Sequence, residues 1–429
     1  MTTVSPRRRR EVIDALRRGT VPSHGLDLLA VGLQPFDATL DAELDTVAGG
    51  GAVFKAVRGE YGSGKTFFTR HLAERAQRRG FATAEVQISE TETPLHRLET
   101  VYRRVTESLR TASVPPSAFR SVLDAWLFTL EDDVAQAGEG PSAVDRVLDE
   151  RLSAINTTMP AFAQVLRAYR TAVEAGDGAQ SDSLVAWLGG QPHVAAAAKR
   201  TAGIKGDLDH FGAMGALQGL LLVLRDAGHP GLLVVLDEVE TLQRVRGDVR
   251  DKALNALRQL IDEVDAGRFP GLYLMVTGTP AFFEGPSGLA RLPPLAQRLH
   301  VDFSTDRRFD NPRAVQVRLP GFTQDALVEL GGRVRDLYAT GATAADRVRS
   351  LVDDAYVASL ARAVAGSLGG KVGVAPRIFL KKLVGDVLDR VDQFADFDPR
   401  QHYALTVSSS ELTEVERNLS RADDIDLQL

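Results

Sequence analysis

The 429-residue sequence predicts an α/β fold, a three-layer, doubly wound core with a large α-helical insertion and a C-terminal helical lid. Three observations predict it. Short apolar runs of strand character recur at 51–59, 81–89, 231–242, 271–280 and 314–322, separated by segments of helical period. A glycine-rich turn joins the first run directly to the first long helix. From about 115 to 227 the sequence is helical and irregular, with no strand signal of its own.

At the N-terminus, Arg7 to Arg10 with Arg17 and Arg18 form a basic patch, and Val12, Ile13 and Leu16 keep helical spacing beneath it. This is a short amphipathic helix expected to dock, solvated, on the core; a contact to a phosphate backbone is the alternative. It opens a lead-in unit, 1–48. "GAVFKAVRG" (51–59) is a buried strand ending in glycine, and "KTFFTRHLAERAQRRG" repeats Phe68, Leu72 and Ala76 before stopping at Gly80. "FATAEVQIS" (81–89) is the second strand, and a helix from about Leu95 to Leu109 follows Pro94. The insertion, 115–227, is broken by "GEG" and "GDGAQSDS"; its Trp126 and Trp187 are expected to pack. "GLLVVLDEVETL" ends its apolar run in two acids, and Leu254, Leu257, Leu260 or Ile261, and Val264 mark a helix up to Gly267. "GLYLMVTGTP" and "AVQVRLPGF" complete a core of 49–320. The remainder, 321–429, is helical by pattern, clearest in "PRIFLKKLVGDVLDRV", and forms the lid; it has room for a small DNA- or partner-binding unit only if that lid is compact. The acidic end "SRADDIDLQL" reads as a disordered tail.

Composition narrows the function classes. Hydrophobic residues make up 44% and charged residues 25%, the balance of a globular protein. A net charge of −6 argues against a generally basic, nucleic-acid-coating surface. No run of eighteen apolar residues occurs and no apolar segment follows the first arginines, so neither a membrane span nor a secretory signal is expected, and a cytoplasmic location is. Cysteine is absent, which excludes thiol catalysis, disulfides and cysteine-ligated metals; the eight histidines lack metal-ligand spacing.

"GEYGSGKT" (59–66) carries the chemistry. Gly59, Gly64, Lys65 and Thr66 satisfy G-x-x-x-x-G-K-[ST], the P-loop, between a strand and a helix as that motif requires. Gly59, Glu60, Tyr61, Gly62, Ser63 and Gly64 cradle phosphates with backbone N–H groups, Lys65 reaches the β- and γ-phosphates, Thr66 ligates magnesium, and Phe67 lies beside the nucleotide. Downstream, Asp237 and Glu238 close an apolar strand in the Walker B arrangement: the aspartate holds Mg²⁺ and the glutamate polarises the attacking water. A module that only holds nucleotide has no need of Glu238, so ATP hydrolysis with Mg²⁺ is expected.

The order of these pieces resembles the AAA+ and initiator-like branch of P-loop ATPases. That resemblance implies a polar sensor in "VTGTP", with Thr277 or Thr279 as candidates and Thr277 taken forward. It implies an arginine finger acting in trans in "LPPLAQRL", where Arg298 is preferred over Arg291, and a sensor 2 arginine, Arg377, in "GVAPRIFLKKL". "VIDALRRGTVPSHGLDLLAVGL", "VRGEYGSGKTFF" and "GLLVVLDEVETL" together resemble the BREX-system ATP-binding protein BrxD family, over about residues 10 to 392. The resemblance implies an ATPase of bacterial anti-phage defence acting with DNA and other defence proteins, and a homo-oligomer if Arg298 acts in trans. A STAND-like regulatory switch is the alternative, and a small-molecule kinase a third reading.

Overall fold

A computed structural model describes residues 4–140, 143–367 and 375–406. Five strands form one parallel sheet: β1 (Val53–Arg58), β2 (Ala82–Gln87), β3 (Leu232–Asp237), β4 (Leu272–Gly278) and β5 (Gln316–Arg318), in the order β2-β3-β4-β1-β5. Their continuous apolar runs match the burial of a parallel sheet covered on both faces. All five expected strands are present, each shorter than its apolar run; β5 keeps only three residues.

Successive side chains point to opposite faces, so each strand feeds two cores. On one face, α2 (Gln34–Ala48) and α3 (Lys65–Arg78) supply Leu40, Leu44, Phe68 and Leu72 against Val57, Leu233, Val235 and Met275. On the other, Ala84, Val86, Val234, Leu236, Leu274 and Val276 join a cluster built by α4 (Leu98–Ser108) and the helices His210–Asp226 and Gly247–Asp265. Three layers result.

The segment between β2 and β3 is helical as expected, with its largest helices at Phe119–Gln136, Pro160–Glu174, Gly178–Leu188 and His210–Asp226. It does not build a separate core, since its Trp126, Phe162 and Trp187 belong to the same apolar cluster as the sheet face. Both tryptophans pack: Trp126 is 0% exposed and donates to Asp226 at 2.5 Å, and Trp187 donates to the Gly206 carbonyl at 3.1 Å.

A third cluster corrects one expectation. The basic helix α1 (Pro6–Arg17) docks chiefly on the C-terminal helices, not on the sheet layers. Val12, Ile13 and Leu16 share a core with Leu330, Val334, Phe379 and Leu383, drawn from Gln324–Ala339, Ala375–Lys381 and the turns that follow. Arg17 clamps the contact, with Nε and Nη2 2.6 and 2.9 Å from Asp389. The long helix expected over 376–391 is also not uniform. Lys382–Leu388 opens into π turns before Asp389–Gln393 resumes the α form. Phe379, Leu383, Val387 and Val391 are all buried at four-residue spacing, which a wider turn keeps on one face. No described helix is long and apolar enough to cross a membrane. The tail 420–429 lies outside the described residues.

Candidate active site

The loop after β1 is shaped by its glycines. Gly59 N–H extends the sheet to the Gly278 carbonyl at 3.1 Å, and Ser63 N–H closes a turn onto Glu60 at 3.1 Å. A Cβ on Gly59 would lie 2.3 Å from Ser63 Oγ and 3.2 Å from Ser63 Cβ, so any side chain there would have to displace the Ser63 side chain. Gly64 has φ +91°, a left-handed conformation that only glycine adopts without strain, and α3 begins at the next residue. The amide-rich start of α3 therefore faces outward from the loop. Lys65 Nζ curls over it, donating to the carbonyls of Gly59 (2.8 Å) and Glu60 (3.2 Å).

The strand order sets what stands opposite. β4 lies between β1 and β3, and the register that pairs Leu236 with Val276 carries Asp237 next to Thr277. Asp237 Oδ1 accepts from the Thr277 hydroxyl and, at 3.1 Å, from Glu238 N–H, while Oδ2 accepts from Thr66 Oγ1 at 3.1 Å. Glu238 N–H also lies 3.1 Å from Thr277 Oγ1. Glu238 itself sits at φ +60°, strained for a residue with a side chain, and its Oε2 accepts from Gln87 Nε2 at 2.8 Å. One chain of contacts thus runs from the P-loop helix across the carboxyl ends of β4, β3 and β2. One hydroxyl and one carboxylate on each other's doorstep suit Mg²⁺, which takes few protein oxygens and keeps the rest of its shell for water and phosphate. Among the described residues, no cluster of three or more histidines and acids offers an alternative metal site.

Above this floor opens a cleft of ≈ 530 Å³. Its walls are apolar where the floor is polar: Val21, Pro22 and Leu29 come from the lead-in, Phe322 from the loop before Gln324–Ala339, and Leu330 and Leu380 from the C-terminal helices. That combination fits a flat base held over a charged tail. Electrostatics concentrate at the floor. Burial lowers the Lys65 ammonium from its ordinary value, against the pull of Glu240, Asp237 and Glu238. Burial pushes the Glu240 carboxyl up to about 7, against the pull of Lys65. Burial likewise raises the Tyr61 hydroxyl, aided by Glu240.

The structure brings together most of the residues singled out in the sequence. Tyr61, Gly62, Gly64, Lys65, Thr66, Phe67, Asp237, Glu238 and Arg377 line the cleft, and Thr277 lies directly beneath Asp237. Thr279 is buried at the start of the helix Pro280–Glu284; the contact with Asp237 is made by Thr277. Arg298 is not in the cleft. It pairs with Asp262 and, at 2.6 Å, with Asp265, at the end of Gly247–Asp265 that leads back to the start of β4. Arg291 pairs with Asp251 at 2.9 Å near the other end of that helix, about 16 Å away at 1.5 Å per residue. Neither arginine lines the cleft. Sequence reasoning missed Gln87, Glu240 and the apolar walls. Gln87 carried a signal, a polar residue ending a strand beside Glu238; the walls come from distant segments and carried none.

Comparison with known proteins adds a family. The model of the family described as "BREX system ATP-binding protein BrxC/D" matches residues 4–407. No curated protein matches the chain. Among solved structures, the ORC2 protein of Aeropyrum pernix, determined as ADPNP–ADP complexes, is similar over 93% of this chain and 81% of its own, at 12% identity and a TM-score of 0.34. So loose a likeness carries no argument about fold or function.

Proposed function

Because the chain belongs to the BREX-system ATP-binding protein BrxC/D family, we propose that it is an ATPase of anti-phage defence, hydrolysing Mg-ATP in the cleft to drive remodelling or assembly on DNA. The observation that carries this reading is the contact chain Thr66–Asp237–Thr277–Glu238–Gln87. In it the backbone amides of 59–64 cradle the β-phosphate and Lys65 neutralises the β,γ oxygens. Thr66 and Asp237 would hold Mg²⁺, which when bound draws charge off the transferring phosphoryl. Glu238 orients the attacking water and takes its proton, and Gln87 fixes the carboxylate between turnovers. Thr277 sets both acids. Arg377 closes on the phosphates from the C-terminal side, and Arg298 acts in trans, leaving Asp262 and Asp265 to reach a second copy of the chain in a homo-oligomer. Residues 49–320 form the motor in this reading; 321–429 form its lid, which the lead-in 1–48 joins through α1. Other defence proteins are its partners, in the cytoplasm.

Glu238→Gln tests it. The variant should bind ATP as wild type does and retain it unhydrolysed in filter binding; turnover at the wild-type rate would remove Glu238 from the mechanism.

One observation favours a second reading, a STAND-like switch with slow turnover. The cleft walls belong to the lead-in and to the C-terminal helices, so nucleotide state reaches the packing of α1 without any DNA. DNA accelerates phosphate release in the first reading and leaves it unchanged in the second.

A further inference from the structure

Glu240 is the group at the floor that hydrolysis by Glu238 leaves unused. It lies on the 3-10 turn Val239–Gln243 just after β3 and is 4% exposed. Among the described residues neither of its carboxylate oxygens has a hydrogen-bond partner. Its ionic neighbour is Lys65, with Nζ 3.9 Å from Oε1, too long for a hydrogen bond. Lys65 directs its protons to Gly59 and Glu60 and stands 5.2 Å from the Tyr61 ring centre, so the ammonium is flanked by a ring and a carboxylate.

Burying a carboxylate without donors is costly, and a glutamine of the same shape would avoid most of that cost. A carboxylate is also the wrong charge beside a loop built to hold an anion. Its field opposes any phosphate cradled by the 59–64 amides, and it competes with that phosphate for Lys65. Such a group lowers the affinity of the site, which is useful only where the bound anion has to leave.

We propose that Glu240 is a release charge: it weakens the hold of the P-loop on nucleotide and thereby sets how fast ADP departs after hydrolysis. The proposal rests on the reading of the cleft as an ATP site. After the γ-phosphate has gone, the carbonyls of Gly59 and Glu60 together with Glu240 would compete for Lys65 against the remaining diphosphate and so weaken its hold. Glu240 acts here through Lys65 and makes no bond to the reacting atoms, so it is a positioning residue.

The test is stopped-flow release of fluorescent mant-ADP and mant-ATP from the full-length chain with Mg²⁺ at pH 8, above the value of about 7 to which burial pushes Glu240, so that the carboxylate is ionised, together with equilibrium titration. Glu240→Gln should slow mant-ADP release and tighten its binding, each roughly ten-fold. Glu240→Asp keeps the charge and should release close to the wild-type rate. Structural damage next to the P-loop would loosen binding, so tightening separates the two explanations, and a thermal melt checks that Glu240→Gln folds. Wild-type binding with equal or faster release from Glu240→Gln would overturn the release role alone. Wild-type protein that binds neither nucleotide at millimolar concentration would overturn this proposal together with the reading beneath it.

Discussion

Thr277→Val removes one hydroxyl from the centre of the site and little else. Valine has the same shape, and the position is 0% exposed, so the cavity stays filled. The hydroxyl donates to Asp237 and lies 3.1 Å from Glu238 N–H. Asp237 keeps two other donors, Thr66 and Glu238 N–H, so it is not orphaned. What disappears is a hydrogen bond to a charged group, worth about 2 kcal/mol, and with it one of the two restraints on a peptide held at φ +60°. Released, Glu238 samples orientations in which its carboxylate could not orient the water in the proposed mechanism. If that energy is spent in the transition state, turnover falls roughly 30-fold while ATP affinity stays within about two-fold. Steady-state phosphate release at saturating Mg-ATP, with calorimetric ATP titration alongside, measures both. Thr277→Ser restores the hydroxyl and should recover most of the rate. Serine as impaired as valine, or valine as active as wild type, refutes the role of that hydroxyl in setting the acids.

Two other substitutions probe how the lead-in and the loop are held. Glu74 accepts from Gly25 N–H (2.9 Å), Leu26 N–H (2.8 Å) and Arg8 (3.1 Å), and although burial raises its carboxyl, those amides and Arg78 hold it below its ordinary 4.5. A depressed carboxyl stabilises the fold above its ordinary value and loses that stabilisation as pH falls through the depressed one, so the lead-in should loosen below pH 4.5. Glu74→Gln should cost about 1–2 kcal/mol at pH 7 and speed hydrogen exchange at Gly25 and Leu26; unchanged exchange there counts against the anchoring role. Gly64→Ala forces a side chain into φ +91°, costing about 1–2 kcal/mol, while its Cβ meets Phe322 at an ordinary 3.4 Å. A melt lower by about one to two degrees, with ATP affinity at least ten-fold weaker, is expected.

The sheet and the phosphate loop were legible because their physics is local. An apolar run bounded by glycines reads as a buried strand wherever it lies, and the amides of 59–64 are placed by glycines adjacent in sequence. Asp237 and Glu238 were legible for the same reason, as acids ending such a run. Gln87 and Thr277 acquire meaning only from the order β2-β3-β4-β1, which decides which strand ends are neighbours. Glu240 looked like any acid on a turn until burial removed its donors. The docking of α1 was misplaced because its apolar stripe specifies a partner face without saying which one, and the C-terminal helices, not the sheet layers, present it. The helical pattern of 376–391 does not distinguish the α form from the wider turns that serve its buried residues four apart. The role of Arg298 rests on resemblance alone, and its acidic partners on Gly247–Asp265 are fixed by tertiary packing that no spacing rule reaches.

The unbroken core between the inserted helices and the sheet has a consequence for how the chain assembles. β2 and β3 align residue for residue, Ala82 beside Leu232, yet about 145 residues separate the end of one from the start of the other. Closing so long a span has a large entropic cost unless the intervening helices collapse first and carry the two strands together. Nascent chain emerging in order would therefore hold β2 waiting, its edge open, until the helical segment had condensed and delivered β3. Excising that segment would remove the wall against which half of the sheet folds, so a shortened chain should aggregate during synthesis instead of yielding a smaller folded protein.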